Sequence, residues 1–480
     1  MITRREAIAL GAGALLSAGC GASATEPTRT GSTLASTWAD PAGTGTLRPG
    51  PGEPLIARTE LGPARPAERV IATLVHLTDA YVLDASSPAR VPFLDRLGDP
   101  FESTFRPQEA LSTQVLAAAC RAVAVLKPDA VIQGGDLIDN DQQNELVWAM
   151  RGLRGGLVRT GRYHGVQLAS DPDPFYYRPD LDAPRHPGLL RRAGRPFVSL
   201  GLRAPVHPVL GDHDILLAGE LVPTETTRAL AVGDQALWEL PQEISLPPGT
   251  RLTAGGSPDG PPLPGLVEQF LAQALGGPTV QVPPDPARRQ MDPTEAIQIL
   301  RPGTSGSLDY AVDVGREVRL VVLDLARRAG GSGGLVRPDQ PGWLAGQLVG
   351  AEQRHVIVIS HQPLASSEGG DSILSLLDGN PRVIAVLAGH THRNSIEPRA
   401  HYWLINTASL IDYPQQARAL RVVRTAGGGI AIETWMLDHT GSELGAISRQ
   451  LAYLDAQGGR PKGFAGGRLD RNVTLYRAPA

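Results

Sequence analysis

The sequence is short of several residue types, and each shortage excludes a class of protein. Two cysteines in 480 residues, Cys20 and Cys120, exclude a scaffold held together by disulfides. Lysine occurs only as Lys127 and Lys462, and the net charge of −4 is too small to indicate a nucleic-acid-binding surface. No apolar run inside the chain approaches the roughly 18 residues that a transmembrane helix needs. We therefore expect a globular protein.

The residues that are abundant fit this expectation. Apolar residues make up 41% of the chain, which is enough for a buried core. The 55 glycines and 42 prolines indicate that much of the chain forms loops. A chain of 480 residues accommodates one large domain with insertions or two to three ordinary domains.

The N-terminus has the pattern of an export signal over residues 1–20. Arg4 and Arg5 precede a short apolar run that ends at Cys20, as in a secretory signal. The paired arginines resemble a twin-arginine signal, and the residues before Cys20 resemble a lipoprotein box. Ser17 departs from the lipoprotein pattern, so a cleaved signal without lipid stays open. We expect an exported, extracytoplasmic protein that is either tethered to the membrane through a lipidated Cys20 or secreted.

The composition divides the remaining chain into three parts. Residues 21–65 are rich in Thr, Ser, Gly, Pro and Ala without periodicity, which predicts a disordered tether. Residues 66–440 contain the apolar runs and predict one folded domain. Residues 441–480 are polar and predict a C-terminal tail.

Two irregular stretches interrupt the predicted domain. Residues 152–205 are rich in Arg, Pro and aromatic residues, and residues 218–301 are rich in Pro and Gly, with a helix predicted near residues 264–275. Loops of such length are uncommon in compact domains and often form lids. We interpret both as insertions, the second as a cap or a partly disordered segment, in which substrate specificity would reside.

Apolar periodicity predicts an α/β fold. A strand at residues 70–78, a helix at 107–126 that buries Cys120 and a strand at 130–133 form one βαβ unit, whose strands should be parallel. Further strands are predicted at 206–210, 307–314, 318–324, 355–359, 383–388, 402–407, 419–423 and 430–436. Further helices are predicted at 338–350 and 372–377, and the strands at 307–324 should form an antiparallel pair.

Carboxylates and imidazoles follow the apolar strands at the point where each strand ends. They are Asp79, Asp136, Asp212, His213, His361, His390 and His392. In α/β sheets, ligands bind outside the carboxyl ends of the strands. His390 and His392 alternate, so both imidazoles can face one point. A mixture of carboxylate oxygen and imidazole nitrogen suits Mn, Fe and Zn ions.

The motifs that contain these residues resemble those of calcineurin-like metallophosphoesterases. The matching segments are Asp79-Ala-Tyr81, Gly135-Asp136, Gly211-Asp-His-Asp214, Ser360-His361 and Gly389-His-Thr-His392. The resemblance implies a double β-sheet sandwich flanked by helices (α/β/β/α), with a metal centre at one edge. It also implies a phosphoesterase that hydrolyses phosphomonoesters or phosphodiesters through a metal-bridging hydroxide, and the signal at residues 1–20 predicts that this enzyme is exported.

The resemblance implies two metal ions, divalent or of mixed valence (Mn, Fe or Zn), held by carboxylates and imidazoles. The implied ligands are Asp79, Asp136, Asp212, His361, His390 and His392. Asp136 would bridge the ions, Asp79 and His392 would complete one site, and the other three would complete the second. His213 would be the catalytic residue beside the substrate phosphate, stabilising charge or protonating the leaving oxygen.

Two residues depart from the family pattern. Tyr81 stands where the family most often has His, and it either packs beside the site or binds an ion as a phenolate. Asp212 replaces the family's Asn and would add a negative charge that lowers Lewis acidity. These departures keep an alternative open, in which a catalytically weakened relative binds envelope ligands without turning them over. Asp139 and Asp412 are weaker candidates for roles near the site.

Overall fold

The computed structural model describes residues 31–90, 105–160, 186, 188–237, 272–439, 441–460 and 462–479. The described strands are β1 (Ser36–Ala39), β2 (Arg48–Pro51), β3 (Ile56–Leu61), β4 (Ala67–Leu77), β5 (Ala130–Gln133), β6 (Gly156–Val158), β7 (Phe197–Ser199), β8 (Val206–Pro208), β9 (Gln235–Leu237), β10 (Thr279–Gln281), β11 (Tyr310–Val314), β12 (Val318–Leu323), β13 (His355–Ser360), β14 (Val383–Ala388), β15 (Ser395–Arg399), β16 (Tyr402–Asn406), β17 (Gln416–Thr425), β18 (Gly429–Asp438) and β19 (Val473–Arg477). The described helices are α1 (Ser112–Leu126), α2 (Gln143–Arg154), α3 (Leu189–Ala193), α4 (Glu225–Val232), α5 (Pro293–Leu300), α6 (Gln340–Val349), α7 (Gly370–Asp378) and α8 (Glu443–Leu454).

Two large mixed sheets form the centre of the protein. The first has the order β3-β19-β18-β17-β4-β5-β8, and its strands β4, β5 and β8 are parallel neighbours. The second has the order β11-β12-β13-β14-β16-β15, and its strands β12, β13, β14 and β16 are parallel. The predicted parallel pair β4–β5 and the predicted antiparallel pair β11–β12 are both present.

The core lies between the two sheets and between each sheet and its helices. Leu320 and Val322 of β12 belong to the same buried cluster as Leu74 of the first sheet. Val321 and Leu323, on the opposite face of β12, are buried with residues of α6 and α7. Alternate residues of a strand point to opposite faces, so one strand supplies both layers. The predicted α/β/β/α sandwich is confirmed.

Helix α1 is the longest described helix and buries most of its surface. Cys120 within it is 1% exposed, as predicted for a small apolar side chain. The segment Glu109–Leu126 is long and apolar enough to cross a membrane by length and composition, but 72% of it is buried inside the protein. Because α1 contacts α2, α8 and β18, it serves as a core helix of this fold.

The predicted disordered tether is wrong for residues 31–65. Strands β1 and β2 pair with each other, and β3 pairs in parallel with β19 at the edge of the first sheet. Backbone hydrogen bonds to a neighbouring strand stabilise an extended segment even when its side chains lack apolar periodicity. Residues 21–30 and the export signal at 1–20 lie outside the described residues.

The predicted C-terminal tail is also wrong where the structure describes it. Helix α8 buries Leu451 and Leu454 in a cluster with Leu111 and Leu189, and β19 lies between β3 and β18. The folded unit therefore begins before residue 66 and continues beyond residue 440.

The two predicted insertions are described only at their ends. Those ends contain α3, α4, α5 and two small two-stranded sheets, β6–β7 and β9–β10. The helix predicted near residues 264–275 falls mostly outside the described residues.

Candidate metal centre

The carboxyl ends of parallel strands from both sheets meet at one edge of the sandwich. Each of these strands is followed by one or two of the side chains that the sequence singled out. From the first sheet these are Asp79 after β4, Asp136 after β5, and Asp212 and His213 after β8. From the second sheet these are His361 after β13, and His390 and His392 after β14. The structure brings all seven residues together.

The backbone at this edge adopts a conformation that non-glycine residues rarely use. Positive φ angles of 47–62° occur at Asp79, Tyr81, Asp136, His390 and His392. Each such residue costs on the order of 1 kcal/mol and persists only where the surroundings hold it. The backbone turns at these positions bring the side chains of short loops to the centre.

One part of the centre, which we call the Asp212 half, consists of Asp136, Asp212, His361 and His390. One ligand atom from each of the four lies within 4.8 Å of the others. Nε2 of His361 is 3.1 Å from Oδ2 of Asp136 and 3.3 Å from Oδ1 of Asp212. Nδ1 of His390 is 3.4 Å from the same Asp212 oxygen. Two ligands of one ion at about 2.1 Å from it lie roughly 3.0–3.4 Å apart, so this spacing fits a metal ion.

The hydrogen bonding of His361 fits a metal ion as well. Its Nδ1 is 2.8 Å from the carbonyl oxygen of Gly134, which can only accept, so Nδ1 carries a proton. Its Nε2 is buried without a hydrogen-bond partner among the described residues, although three carboxylates surround it. A buried nitrogen of this kind is the atom that a cation would bind.

The other part, which we call the Asp79 half, consists of Asp79, Tyr81 and His392 together with the shared Asp136. Nε2 of His392 is 3.4 Å from Oδ1 of Asp79 and 3.2 Å from the hydroxyl of Tyr81. That hydroxyl donates to Oδ2 of Asp136 at 3.0 Å. Asp136 therefore contacts both halves, at the position that the resemblance implies for a bridging ligand.

Tyr81 occupies the place where a further ligand of the Asp79 half would lie. Burial raises the pKa of its hydroxyl well above the usual value of 10, and the carboxylates of Asp136 and Asp79 raise it further. The guanidinium of Arg106 lies 5.0 Å from the centre of its ring. Without a cation the phenol is neutral and donates its hydrogen bond to Asp136.

The charges of the cluster indicate that a bound cation would replace protons on its imidazoles. Burial alone would raise the pKa of Asp79, but the imidazoles of His392 and His361 lower it below its usual value. Burial lowers the pKa of His392, but the carboxylates of Asp79 and Asp412 outweigh it and raise the pKa to about 9. Protons on the imidazoles thus compensate the buried carboxylates, and a bound cation would release them.

His213 lies beside the ligand cluster rather than within it. Its backbone N–H donates to Oδ1 of Asp136 at 3.0 Å, and its Nδ1 is 2.8 Å from the carbonyl oxygen of Asp139. Its Nε2 is 3.9 Å from Oδ2 of Asp212, and its side chain is 15% exposed. Burial lowers its pKa, but the carboxylates of Asp136, Asp139 and Asp212 raise it to about 10.

Three residues around the centre were missed or underrated by the sequence interpretation. Gln362 donates to Oδ1 of Asp212 at 3.0 Å, and Oδ2 of Asp412 is 2.5 Å from Nδ1 of His392. Arg106 donates to Oδ1 of Asp412 at 2.9 Å. Asp412 comes shortly after β16, the parallel neighbour of β14, and this position made it a weaker candidate in the sequence. No sequence signal indicates Arg106.

Comparisons with known proteins find distant likenesses among solved structures. No protein-family model and no curated protein sequence matches this chain. The chain is similar to a dimetal phosphatase from Danio rerio, with 13% identity over 78% of this chain and 100% of that chain and a TM-score of 0.40. It is also similar to a purple acid phosphatase from yellow lupin seeds, with 11% identity over 83% of this chain and 56% of that chain and a TM-score of 0.34. A third similar structure is PhoD, with 13% identity over 82% of this chain and 78% of that chain and a TM-score of 0.33.

The first two of these structures are named as phosphatases, which is the class of protein that the five motifs resemble. In this chain, two stacked sheets bring the carboxylates and imidazoles of these motifs to one edge.

Proposed function

We propose that this chain is a metal-dependent hydrolase of phosphoric monoesters or diesters that uses two metal ions. The observation that carries the proposal is the position of Asp136. Its Oδ2 is 3.1 Å from Nε2 of His361 in one half and 3.0 Å from the hydroxyl of Tyr81 in the other. One carboxylate shared by two adjoining ligand sets is the arrangement that a two-ion centre needs.

The ligand residues would divide between the two ions along the halves defined above. Asp212, His361 and His390 would bind one ion, Asp79 and His392 would bind the other, and Asp136 would bridge them. Mn, Fe or Zn ions would supply Lewis acidity toward a phosphoryl oxygen and acidify a water molecule. Three carboxylates offset most of the charge of two divalent ions.

His213 would act on the substrate without binding either ion. Its Nδ1 proton is held by the carbonyl oxygen of Asp139 at 2.8 Å, which leaves Nε2 directed toward the centre near Asp212. The surrounding carboxylates favour a second proton on this imidazole. We assign to Nε2 the protonation of the leaving oxygen, or stabilisation of charge on the phosphoryl group.

We also propose that the protein works outside the cytoplasm. The support is the pattern at residues 1–20, where two arginines precede a short apolar run that ends at Cys20. Twin-arginine export carries proteins already folded, which suits a centre assembled from both sheets. The mature chain would be secreted, or tethered through a lipid on Cys20.

Ligand binding without turnover is a second candidate function. Two observations favour it: Tyr81 supplies a neutral phenol where a stronger ligand is usual, and Asp212 adds a negative charge. Such a protein would bind phosphorylated or glycosylated envelope ligands.

Metal content and activity together test the proposal. The chain, purified without chelators, should contain close to two ions by plasma mass spectrometry and should hydrolyse p-nitrophenyl phosphate or bis(p-nitrophenyl) phosphate. His213→Ala should lower turnover of an alkyl phosphate such as glycerol 2-phosphate by about 10²-fold without loss of metal, because an alkoxide leaving group, unlike p-nitrophenolate, needs the proton of a general acid. His401→Ala, which changes a histidine on the turn between β15 and β16, is the control. Unchanged turnover in His213→Ala would reject its role, and fewer than two ions would favour the binding function.

A further inference from the structure

The imidazoles of the centre differ in what their second nitrogen contacts. Nδ1 of His361 is 2.8 Å from the carbonyl oxygen of Gly134, and Nδ1 of His213 is 2.8 Å from that of Asp139. Nδ1 of His392 instead faces a carboxylate, Oδ2 of Asp412, at 2.5 Å. A carboxylate behind a ligating histidine fixes the ring and increases the basicity of its other nitrogen.

Asp412 is itself held in a fixed position. Its Oδ1 accepts from Nε of Arg106 at 2.9 Å and from Nε2 of Gln108 at 3.3 Å. Its backbone N–H donates to the hydroxyl of Ser409 at 2.9 Å. Asp412 is 1% exposed and Arg106 is 4% exposed, so water does not compete for these contacts.

We propose that Asp412 is a positioning residue that directs Nε2 of His392 at the ion of the Asp79 half. The proposal rests on the proposed function, because it presumes an ion there. Because Asp412 accepts a hydrogen bond from Nδ1–H, the ring carries its lone pair on Nε2 once its second proton is released, and Nε2 lies 3.4 Å from Oδ1 of Asp79. The resemblance to metallophosphoesterases assigns no role to this carboxylate.

Arg106 allows this carboxylate to be buried. A charged carboxylate in the interior requires a charged partner and hydrogen bonds to its remaining lone pairs. The guanidinium of Arg106 provides both, and it also lies 5.0 Å from the ring centre of Tyr81. One buried cation therefore contacts the supporting carboxylate and the phenol of the same half.

A purely architectural role for Asp412 is the competing explanation, because its ion pair with Arg106 joins segments far apart in the chain. The chain offers a matched control for this explanation. Asp455 is equally buried and accepts from the same Nε2 of Gln108 at 3.0 Å, but no described contact joins it to His392. Asp455→Asn thus removes a neighbouring buried carboxylate and leaves the support of His392 intact.

The experiment is a Co²⁺ titration of the full chain, stripped of metal, followed by visible absorption and calorimetry. We expect Asp412→Asn to lower the affinity for one of the two Co²⁺ ions by about 10- to 100-fold and to leave the affinity for the other unchanged. The remaining Co²⁺ spectrum should match that of Asp79→Asn, which removes a ligand from the same half. Asp455→Asn should bind both ions as the unmodified chain does.

A second variant covers the case in which Asp412→Asn does not fold. Asp412→Glu keeps the charge beside Arg106 but displaces the carboxylate relative to His392, and we expect the same selective loss at about threefold to tenfold. Wild-type affinity for both ions in the folded Asp412 variants would overturn the proposal, as would an equal loss in Asp455→Asn. If the unmodified chain binds no second ion, the proposed function fails as well, so the two failures are distinguishable.

Discussion

The two halves of the candidate metal centre share Asp136 but are supported differently. In the Asp212 half, neutral groups orient the ligands: the Gly134 carbonyl accepts from His361 and the Gln362 amide donates to Asp212. In the Asp79 half, the Thr78 hydroxyl donates to Asp79 at 2.6 Å, but charged groups support the histidine, because Asp412 and Arg106 lie behind His392. We therefore expect metal binding in the Asp79 half to depend more on buried charge than metal binding in the Asp212 half.

The ligand atoms differ as well. The Asp212 half combines two carboxylates with two imidazoles within 4.8 Å. The Asp79 half has one imidazole and a phenol in addition to its carboxylates. We therefore expect the two ions to bind with different affinities, and substitutions confined to one half should affect one ion.

Removing the shared carboxylate should have the largest effect, because it breaks both halves. Asp136→Asn should lower the affinity for both ions. It should also lower the rate of hydrolysis by on the order of 10³-fold, because about 4 kcal/mol of charge stabilisation in the transition state is lost. Metal content and phosphoester hydrolysis measure this. Asp129→Asn, an exposed change just before β5, is the control. Retention of two ions in Asp136→Asn would contradict a bridging role.

Removing His390 should break only the Asp212 half. Its Nδ1 is 3.4 Å from Oδ1 of Asp212, and its φ of 62° favours asparagine over alanine as the replacement. His390→Asn should lower the affinity for one ion by about 100-fold or more, because losing a ligand costs no less than losing a group that only orients one, and should leave the ion of the Asp79 half in place. Co²⁺ titration checks this, and simultaneous loss of both ions would contradict the division into halves.

Changing Tyr81 sharpens the description of the Asp79 half. A neutral phenol contributes one hydrogen bond to a carboxylate, so Tyr81→Phe should keep two ions and lower turnover about tenfold, equivalent to about 1.4 kcal/mol. Tyr81→His should preserve or raise activity if the half merely lacks a ligand. Loss of the ion in Tyr81→Phe, with collapse of activity in Tyr81→His, would instead identify a phenolate ligand.

The candidate site could be predicted because the residues next to each ligand in the sequence identify it. Each ligand follows an apolar run, and the runs of β5 and β14 coincide with the predicted strands at 130–133 and 383–388. Parallel strands then carry their carboxyl ends to one edge, so residues as distant as Asp79 and His392 meet. The local sequence pattern and the sheet topology together are sufficient to predict the ligand residues.

The supports of the site and the edges of the fold could not be predicted in the same way. Arg106 meets Asp412 only through tertiary folding, and one arginine among many carries no signal in the sequence. Strands β3 and β19 lie next to each other although more than 400 residues separate them, and β3 is too short and polar to show periodicity. Contacts that depend on a partner far away in the chain produce no recognisable pattern in the neighbouring sequence.

Removing the amide behind Asp212 should have the smallest effect and tests whether neutral supports matter less than charged ones. Gln362 donates from Nε2 to Oδ1 of Asp212 and to the Ser332 carbonyl, both at 3.0 Å, and Leu approximates its volume. Gln362→Leu should lower the affinity for the ion of the Asp212 half by roughly fivefold, which is equivalent to about 1 kcal/mol for one lost hydrogen bond. Co²⁺ titration beside Asp412→Asn is the measurement. A loss as large as that of Asp412→Asn would mean that the charge of the support is not what distinguishes the two halves.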